Sequence, residues 1–205
     1  MTIEGYIFRS RSKKLIPNEF QELDSEAHEL IKRAWNKSLP LDEKFCDEIM
    51  RKDLLTLRGL EWLNDEVINF YMKLICKRAA DNCSYPKVYA FTTFFYPTLL
   101  AKGYQSVKRW TRKVDIFSFD IILVPIHLSA HWCLAVIDFS NKFIEYYDSM
   151  LHRNDLCLET LSDCGVFVCK FAEFISRRAD IIFTQEHMPY YRQRMVYEIC
   201  RQKLL

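Results

Sequence analysis

The chain has 205 residues, 50% of them hydrophobic and 15% aromatic, which is enough apolar side chain for one sizeable core and one domain. A formal net charge of +2 argues against a dedicated nucleic-acid binder, and four glycines without a Gly-rich loop argue against a phosphate-cradling nucleotide site. No apolar run is long enough to span a membrane. The eight cysteines lie scattered through apolar or helical stretches, with no signal-peptide pattern and no Cys-x-x-Cys pair. They are expected to be reduced thiols of a nuclear or cytosolic compartment, with no metal and no organic cofactor.

In chain order, residues 1–20 read as a mobile basic arm carrying Arg9-Ser-Arg-Ser-Lys-Lys, and residues 21–205 as a single domain. The basic cluster has the make-up of a nuclear-import signal, so the nucleus is the expected location and the cytoplasm the second, although a solvated charge run is its ordinary reading. Ser25–Lys37 reads as an amphipathic helix with Leu30, Ile31, Ala34 and Trp35 on one face. Asn64 is placed to cap a helix from Asp65 to about Ala80, whose Asp65 and Glu66 suit the positive end of the dipole. Tyr89–Tyr96 reads as a strand or extended stretch, and Gln105–Lys113 as a basic segment around Trp110. Three β-rich runs follow at 121–128, 131–139 and 142–148, then a helix after residue 164 and a last helix from Pro189. This order predicts an α+β fold, with helices packed on a mostly antiparallel sheet. No internal repeat or low-complexity tract is visible.

The chemistry concentrates in Leu161-Ser-Asp-Cys-Gly-Val-Phe-Val-Cys-Lys, read with His131-Trp132 and Asp148. Ser162 and Asp163 are good N-cap residues, and Phe167, Phe171, Phe174 and Ile175 follow at helical spacing. Cys164 is therefore expected at a helix N-terminus, where free N–H groups lower a thiol pKa and can hold an oxyanion. A turn centred on Phe139 to Asn141 folds His131 back opposite Asp148, with Cβ atoms about 5 Å apart, so that the carboxylate can orient the imidazole. A thiol, a base and an orienter make the logic of nucleophilic catalysis. Each also has an ordinary reading: a small core cysteine, a packed His-Trp pair and a strand-ending Asp. His127 reads as a structural histidine.

With these residues on the page, the chain resembles the sentrin/SUMO-specific proteases, the Ulp/SENP group of papain-like cysteine peptidases. The resemblance covers most of the chain. Its blocks are Leu60-Glu-Trp-Leu-Asn-Asp-Glu-Val-Ile-Asn-Phe-Tyr-Met, Phe91-Thr-Thr-Phe-Phe-Tyr, Gly103-Tyr-Gln-Ser-Val-Lys-Arg-Trp-Thr, Val124-Pro-Ile-His-Leu, His131-Trp-Cys-Leu-Ala-Val-Ile-Asp, Tyr146-Tyr-Asp-Ser-Met, Ser162-Asp-Cys-Gly-Val-Phe and Thr184-Gln-Glu-His-Met-Pro-Tyr-Tyr-Arg. It implies His131 as base, Asp148 as its orienter and Cys164 as nucleophile. It also implies that Trp62, Trp132, Asp65 and Gly165 bind substrate, the two indoles closing over a C-terminal Gly-Gly. Flat rings facing each other leave room only for residues without side chains. Arg58, Lys108, Arg109, Arg112 and Lys113 are candidates for contacts with the ubiquitin-like partner. The implied activity is hydrolysis after the C-terminal Gly-Gly of SUMO, in precursor processing and in release of SUMO from a target lysine. SUMO and SUMO-conjugated proteins are the implied partners, and a monomer is expected.

One departure stands against these matches. The family carries a long segment between its Asp and Cys, with a glutamine shortly before the Cys that helps to build the oxyanion hole. Here only Ser149 to Asp163 separate them, without a glutamine. A linker of this size spans about 50 Å when extended, so geometry permits the triad. Two expectations follow: turnover is reduced by the lost donor, and Phe167, Val168 or their neighbours are left exposed. The alternative reading is a SUMO-binding module that docks the modifier without turning it over.

Overall fold

The computed structural model of the chain describes residues 19–150 and 157–205. The basic stretch Arg9–Lys14 lies outside the described residues. Glu19 and Phe20, assigned from sequence to the arm, pack into the domain. The Glu19 carboxylate accepts from Arg177 Nη2 at 2.9 Å and Arg194 Nη1 at 2.7 Å, and Phe20 stacks on His187.

Helix α1 (Ser25–Ala34) is capped by Asp24, whose carboxylate accepts from the Ala27 amide at 2.8 Å, and it buries Ala27, Ile31 and Ala34. It stops short of the expected Lys37 because Trp35 closes the last turn onto the Ile31 carbonyl while its indole donates to the Leu54 carbonyl. Helix α2 (Arg51–Leu54) runs into a 3-10 turn. Helix α3 (Asp65–Asp81) begins where expected: the Asn64 side chain accepts from the Val67 amide at 3.1 Å and donates to Asp53, with Asp65 and Glu66 in the first turn.

Strand β1 (Val88–Ala90) is shorter than the expected extended stretch to Tyr96. Asn69 on α3 takes over the chain three residues later, its side chain accepting from the Thr93 amide and donating to the Thr93 hydroxyl. Phe95 then opens helix α4 (Phe95–Lys102), and Gly103, at a φ of +71°, joins it to helix α5 (Tyr104–Val107). Strands β2 (Ile121–His127), β3 (Trp132–Asp138) and β4 (Phe143–Tyr147) complete a sheet of order β1-β2-β3-β4. Only the β1–β2 pair is parallel. Alternation sorts the sheet into two faces. Ile121, Leu123, Leu134 and Val136 belong to the main core with α3 and α6, whereas Ile122, Val124, Ile126 and Cys133 pack under Phe91 and Phe95.

Helix α6 (Cys157–Ser176) crosses the main core and helix α7 (Met188–Cys200) flanks it. Phe167 and Val168 are 8% and 1% exposed, against the expectation that the short linker would uncover them. Phe183 and Tyr147 supply the cover, through ring contacts with Phe167 and Phe171. Buried charge ties the helices further. Glu173 accepts from Arg78 Nη1 at 2.5 Å and Arg177 Nε at 2.8 Å, and Lys170 lies 3.5 Å away on the same helix.

Candidate active site

The β3–β4 hairpin brings His131 and Asp148 together, by a register other than the expected one. Leu134 faces Tyr147 and Asp138 faces Phe143. Extending that ladder by one position sets Asp148 opposite Cys133, with His131 two residues further along the same face. The difference arises in the turn, where Asp138 accepts from the Asn141 amide at 2.9 Å and Lys142 takes a φ of +57°. This makes a four-residue loop where a tighter one was expected. His131 sits at the end of the β2–β3 turn, its carbonyl accepting from the Leu128 amide, and reaches diagonally. His131 Nε2 lies 2.5 Å from Asp148 Oδ1, and Nδ1 is buried without a hydrogen-bond partner among the described residues. Burial works to raise the Asp148 carboxyl, but hydrogen bonds from the Met150 amide and from His131 outweigh it and hold the group below the usual carboxylate range.

Cys164 meets this pair through the next residue: the Trp132 amide donates to Cys164 Sγ at 3.4 Å. The thiol is 1% exposed. It does not stand at a helix start, because α6 already begins at Cys157 and Cys164 lies about two turns inside it. Amides so far inside a helix bond mainly to the carbonyl one turn back, so the expected cluster of several free N–H groups at a helix start is not formed there. Ser162 and Asp163 accordingly serve as anchors instead of caps. Arg192 on α7 donates to Asp163 Oδ1 at 2.7 Å and to the Ser162 carbonyl at 2.8 Å. Burial pushes the Cys164 thiol up, against the opposing pull of the Trp132 and Gly165 amides and of the Arg192 charge. The expected depression of the thiol is thus reversed in the free chain, which leaves Cys164 protonated.

A cleft of about 370 Å³ shares Trp132 with this site and is lined in part by Trp62, Leu63, Asp65, His127 and Trp132. Trp62 is 44% exposed on its rim, whereas Trp132 is buried and pinned by its indole N–H, which donates to the Leu63 carbonyl at 3.1 Å. His127, read from sequence as structural, stacks on Trp132 with ring centroids 4.3 Å apart and so forms part of the cleft wall. Gly165 has a visible reason of another kind. A Cβ there would lie 2.7 Å from Leu63 Cβ, so the glycine lets α6 approach the Trp62–Asn64 segment. Arg58, Lys108, Arg109, Arg112 and Lys113 are all solvent-exposed.

Sequence reasoning missed Cys133, Tyr146 and Arg192. The first two would have followed from the true register, which places residues 131, 133, 146 and 148 on one face. Arg192 carried no local signal, since its partners come from α6 and the segment after α2. His131, Cys133 and Asp148 also offer donor atoms within 4.8 Å of one another and are the residues that could hold a metal ion. Two of the trio, His131 and Asp148, are already joined by a hydrogen bond.

Comparison with known proteins bears on the same residues. A Sentrin-specific protease of Caenorhabditis elegans is 46% identical over 244 residues, covering 100% of this chain and 35% of the relative. Sentrin-specific protease 2 of Mus musculus is 37% identical over 238 residues, covering 97% and 40% respectively. The chain thus spans well under half the length of these relatives. Among solved structures, the C-terminal Ulp1 protease domain in complex with Smt3, the yeast orthologue of SUMO, superposes with a TM-score of 0.74 at 28% identity, over 90% of this chain and 98% of that one. Ulp1 with its catalytic cysteine oxidised to a sulfonic acid also superposes with a TM-score of 0.74. The model of the Ulp1 protease family, C-terminal catalytic domain, matches residues 61–161 and 159–204, two pieces that meet just ahead of Cys164, where the linker is short. Since those pieces between them contain the histidine, the aspartate and the cysteine in one order, this chain belongs to the Ulp1 protease family.

Proposed function

We propose that the chain is a cysteine peptidase that hydrolyses the bond after the C-terminal Gly-Gly of SUMO, acting on the precursor tail and on the isopeptide bond to a target lysine. The observation that carries the reading is the state of His131: Nε2 is held by Asp148, and Nδ1 is buried and unpartnered next to the residue whose amide reaches Cys164. That nitrogen is the acceptor for the thiol proton. As the glycine carbonyl arrives, His131 takes the proton and the sulfur forms a bond to the carbonyl carbon, whose π electrons move onto oxygen. When the tetrahedral intermediate collapses, the C–N bond breaks and the imidazolium gives its proton to the departing amine. Water, deprotonated by His131, then attacks the thioester, and the sulfur leaves and recovers its proton. Asp148 orients the imidazole and stabilises its charged form throughout.

The substrate assignment is supported by the cleft and by the relatives. Trp62 and Trp132 line one cleft, the Trp132 amide reaches Cys164, and the relatives are named as sentrin-specific proteases. The alternative of a docking module is not favoured, because His131 pairs with Asp148 and the adjoining Trp132 amide reaches Cys164. A nuclear site of action belongs to the same proposal and is tested by the location of the chain with Arg9, Arg11, Lys13 and Lys14 replaced. The deciding experiment uses SUMO carrying a C-terminal electrophile, with mass spectrometry of the product. A covalent adduct on Cys164, absent from Cys164→Ala, is expected. A folded chain that binds SUMO and forms no adduct overturns the peptidase reading.

A further inference from the structure

The carboxylate of Asp148 is held from the side of the sheet opposite α6. Cys133 lies in the second core cluster with Ile122, Val124 and Ile126, fully buried. The register puts it across from Asp148, with Tyr146 on the same face of β4. The Tyr146 hydroxyl donates to Asp148 Oδ2 at 3.3 Å, and the Cys133 sulfur lies within 4.8 Å of the same carboxylate. The Met150 amide adds a bond at 2.8 Å to Oδ1, the oxygen that meets His131. One carboxylate thus receives two bonds besides that of the base, with the Cys133 thiol close beside it.

We propose that Cys133 and Tyr146 are positioning residues for the His131–Asp148 pair, a thiol and a phenol that clamp the orienting carboxylate from the far face of the sheet. This rests on the peptidase reading for its kinetic consequence but not for its geometry. The chemistry suits the role. Burial pushes the Cys133 thiol up to about 12, so it stays protonated and acts as a donor, not as a second nucleophile beside Cys164. Burial likewise keeps the Tyr146 phenol protonated. A carboxylate that shares its charge with several donors is fixed in rotation, and hydrogen bonds to an ionised group are the stronger kind. Fixing Asp148 fixes the imidazole, which has no other partner among the described residues. The titratable groups that face this carboxylate are His131 from the β2–β3 turn, Cys133 from β3 and Tyr146 from β4, with Cys164 of α6 near enough to act on Cys133.

Two readouts test the clamp, one of which needs no turnover. Carbon-13 NMR of the Asp148 carboxyl, assigned with Asp148→Asn, gives its midpoint in the wild type, Tyr146→Phe, Cys133→Ala and Cys133→Ser. Loss of a donor is expected to move that midpoint up by roughly 0.4 to 1 unit in Tyr146→Phe and Cys133→Ala, and by less in Cys133→Ser, which keeps a donor. In parallel, the rate of Cys164 labelling by SUMO electrophile is expected to fall roughly two- to tenfold, its acid limb displaced to higher pH and the melting temperature of Tyr146→Phe unchanged. An Asp148 midpoint and a labelling profile unchanged in both Tyr146→Phe and Cys133→Ala overturn the clamp, as does a Cys133→Ser as impaired as Cys133→Ala. If Cys133→Ala fails to fold, Tyr146→Phe, altered on a half-exposed side chain, decides alone. If the wild type does not label while the midpoints still move, the peptidase reading fails and the clamp stands.

Discussion

Replacing Gly165 by alanine would test how closely α6 is fitted against the loop that carries Trp62. The new Cβ would lie 2.7 Å from Leu63 Cβ and 3.4 Å from Trp132 Cδ1. The first contact is inside any van der Waals distance, and it involves the root of a side chain, which no rotamer change can move. Leu63 is itself held, since its carbonyl accepts the Trp132 indole N–H and the next residue caps α3. Overpacking of this kind costs about 1–3 kcal/mol, and an alanine in mid-helix returns about 1 kcal/mol in propensity. The net loss is up to about 2 kcal/mol, or roughly 4–8 °C in melting temperature for a chain of this size. Displacing α6 also moves Cys164 relative to His131, so the labelling rate should fall by more than the stability loss alone explains. Thermal unfolding and electrophile labelling of Gly165→Ala, Leu63→Ala and the double variant read this directly. Leu63→Ala should cost less in the alanine background, with a coupling of about 1 kcal/mol or more. Additive losses, or a Gly165→Ala that melts at or above the wild type and labels at its rate, would refute the steric argument.

Three other outcomes are expected. Because burial raises the Cys164 thiol, iodoacetamide should alkylate it in the free chain more slowly at pH 7 than it alkylates an exposed thiol, with the rate climbing only above the ordinary thiol value of about 8.5; a fast reaction at pH 6 would show a preformed thiolate instead. Burial raises the Glu173 carboxyl, but Lys170, Arg78 and Arg177 outweigh it and hold the folded group well below its unfolded value. Its contribution to stability is therefore present above the unfolded value of about 4.3 and is lost as pH falls towards the folded one. Glu173→Gln should cost on the order of 3–5 kcal/mol at pH 7 and progressively less below pH 4 in calorimetry, so a pH-independent cost would contradict the sign. Trp62→Ala, on a half-exposed ring, should leave the melting temperature in place and raise the KM for a SUMO substrate by roughly 30-fold or more, while an unchanged KM would remove the indole from the binding path.

The elements with a local cause were legible in the sequence. Asn64 ahead of Asp65 and Glu66 announces the start of α3, and the alternating apolar runs announce β2, β3 and β4 to within a residue at either end. What failed depended on residues far away in the chain. The stretch after Ala90 is β-rich in composition, yet Asn69 captures Thr93 and ends the strand. The turn after Asp138 looked tight, yet an Asp138–Asn141 bond and a left-handed Lys142 lengthen it, which shifts the register and brings Cys133 opposite Asp148. Ser162 and Asp163 have the chemistry of caps, but Arg192 and Gln185 claim them from another part of the chain. The charge of Arg192 beside Cys164 has no local trace in the sequence for the same reason.

The short segment between Asp148 and Cys164 leaves the base and thiol assembled because it is not what holds them. His131 and Asp148 belong to one hairpin whose ladder runs from Leu134–Tyr147 to Asp138–Phe143. Cys164 is placed by α6, which is locked through Glu173 to α3, through Asp163 to α7 and through Gly165 to Leu63. The hairpin and the helix meet across a packed face, and the contact between the Trp132 amide and Cys164 Sγ is set by that packing. With α6 starting at Cys157, Cys164 lacks a helix-end field, so the Trp132 and Gly165 amides that meet the sulfur are the backbone donors left near the thiol, and the linker holds no glutamine to carry oxyanion charge. Losing one such donor costs on the order of a hundred- to a thousandfold in turnover. On the proposed function, two properties should therefore separate: attack by Cys164 on a strong electrophile, which depends on His131, is expected to be retained, while turnover of an amide, which also depends on oxyanion stabilisation, is expected to be slow.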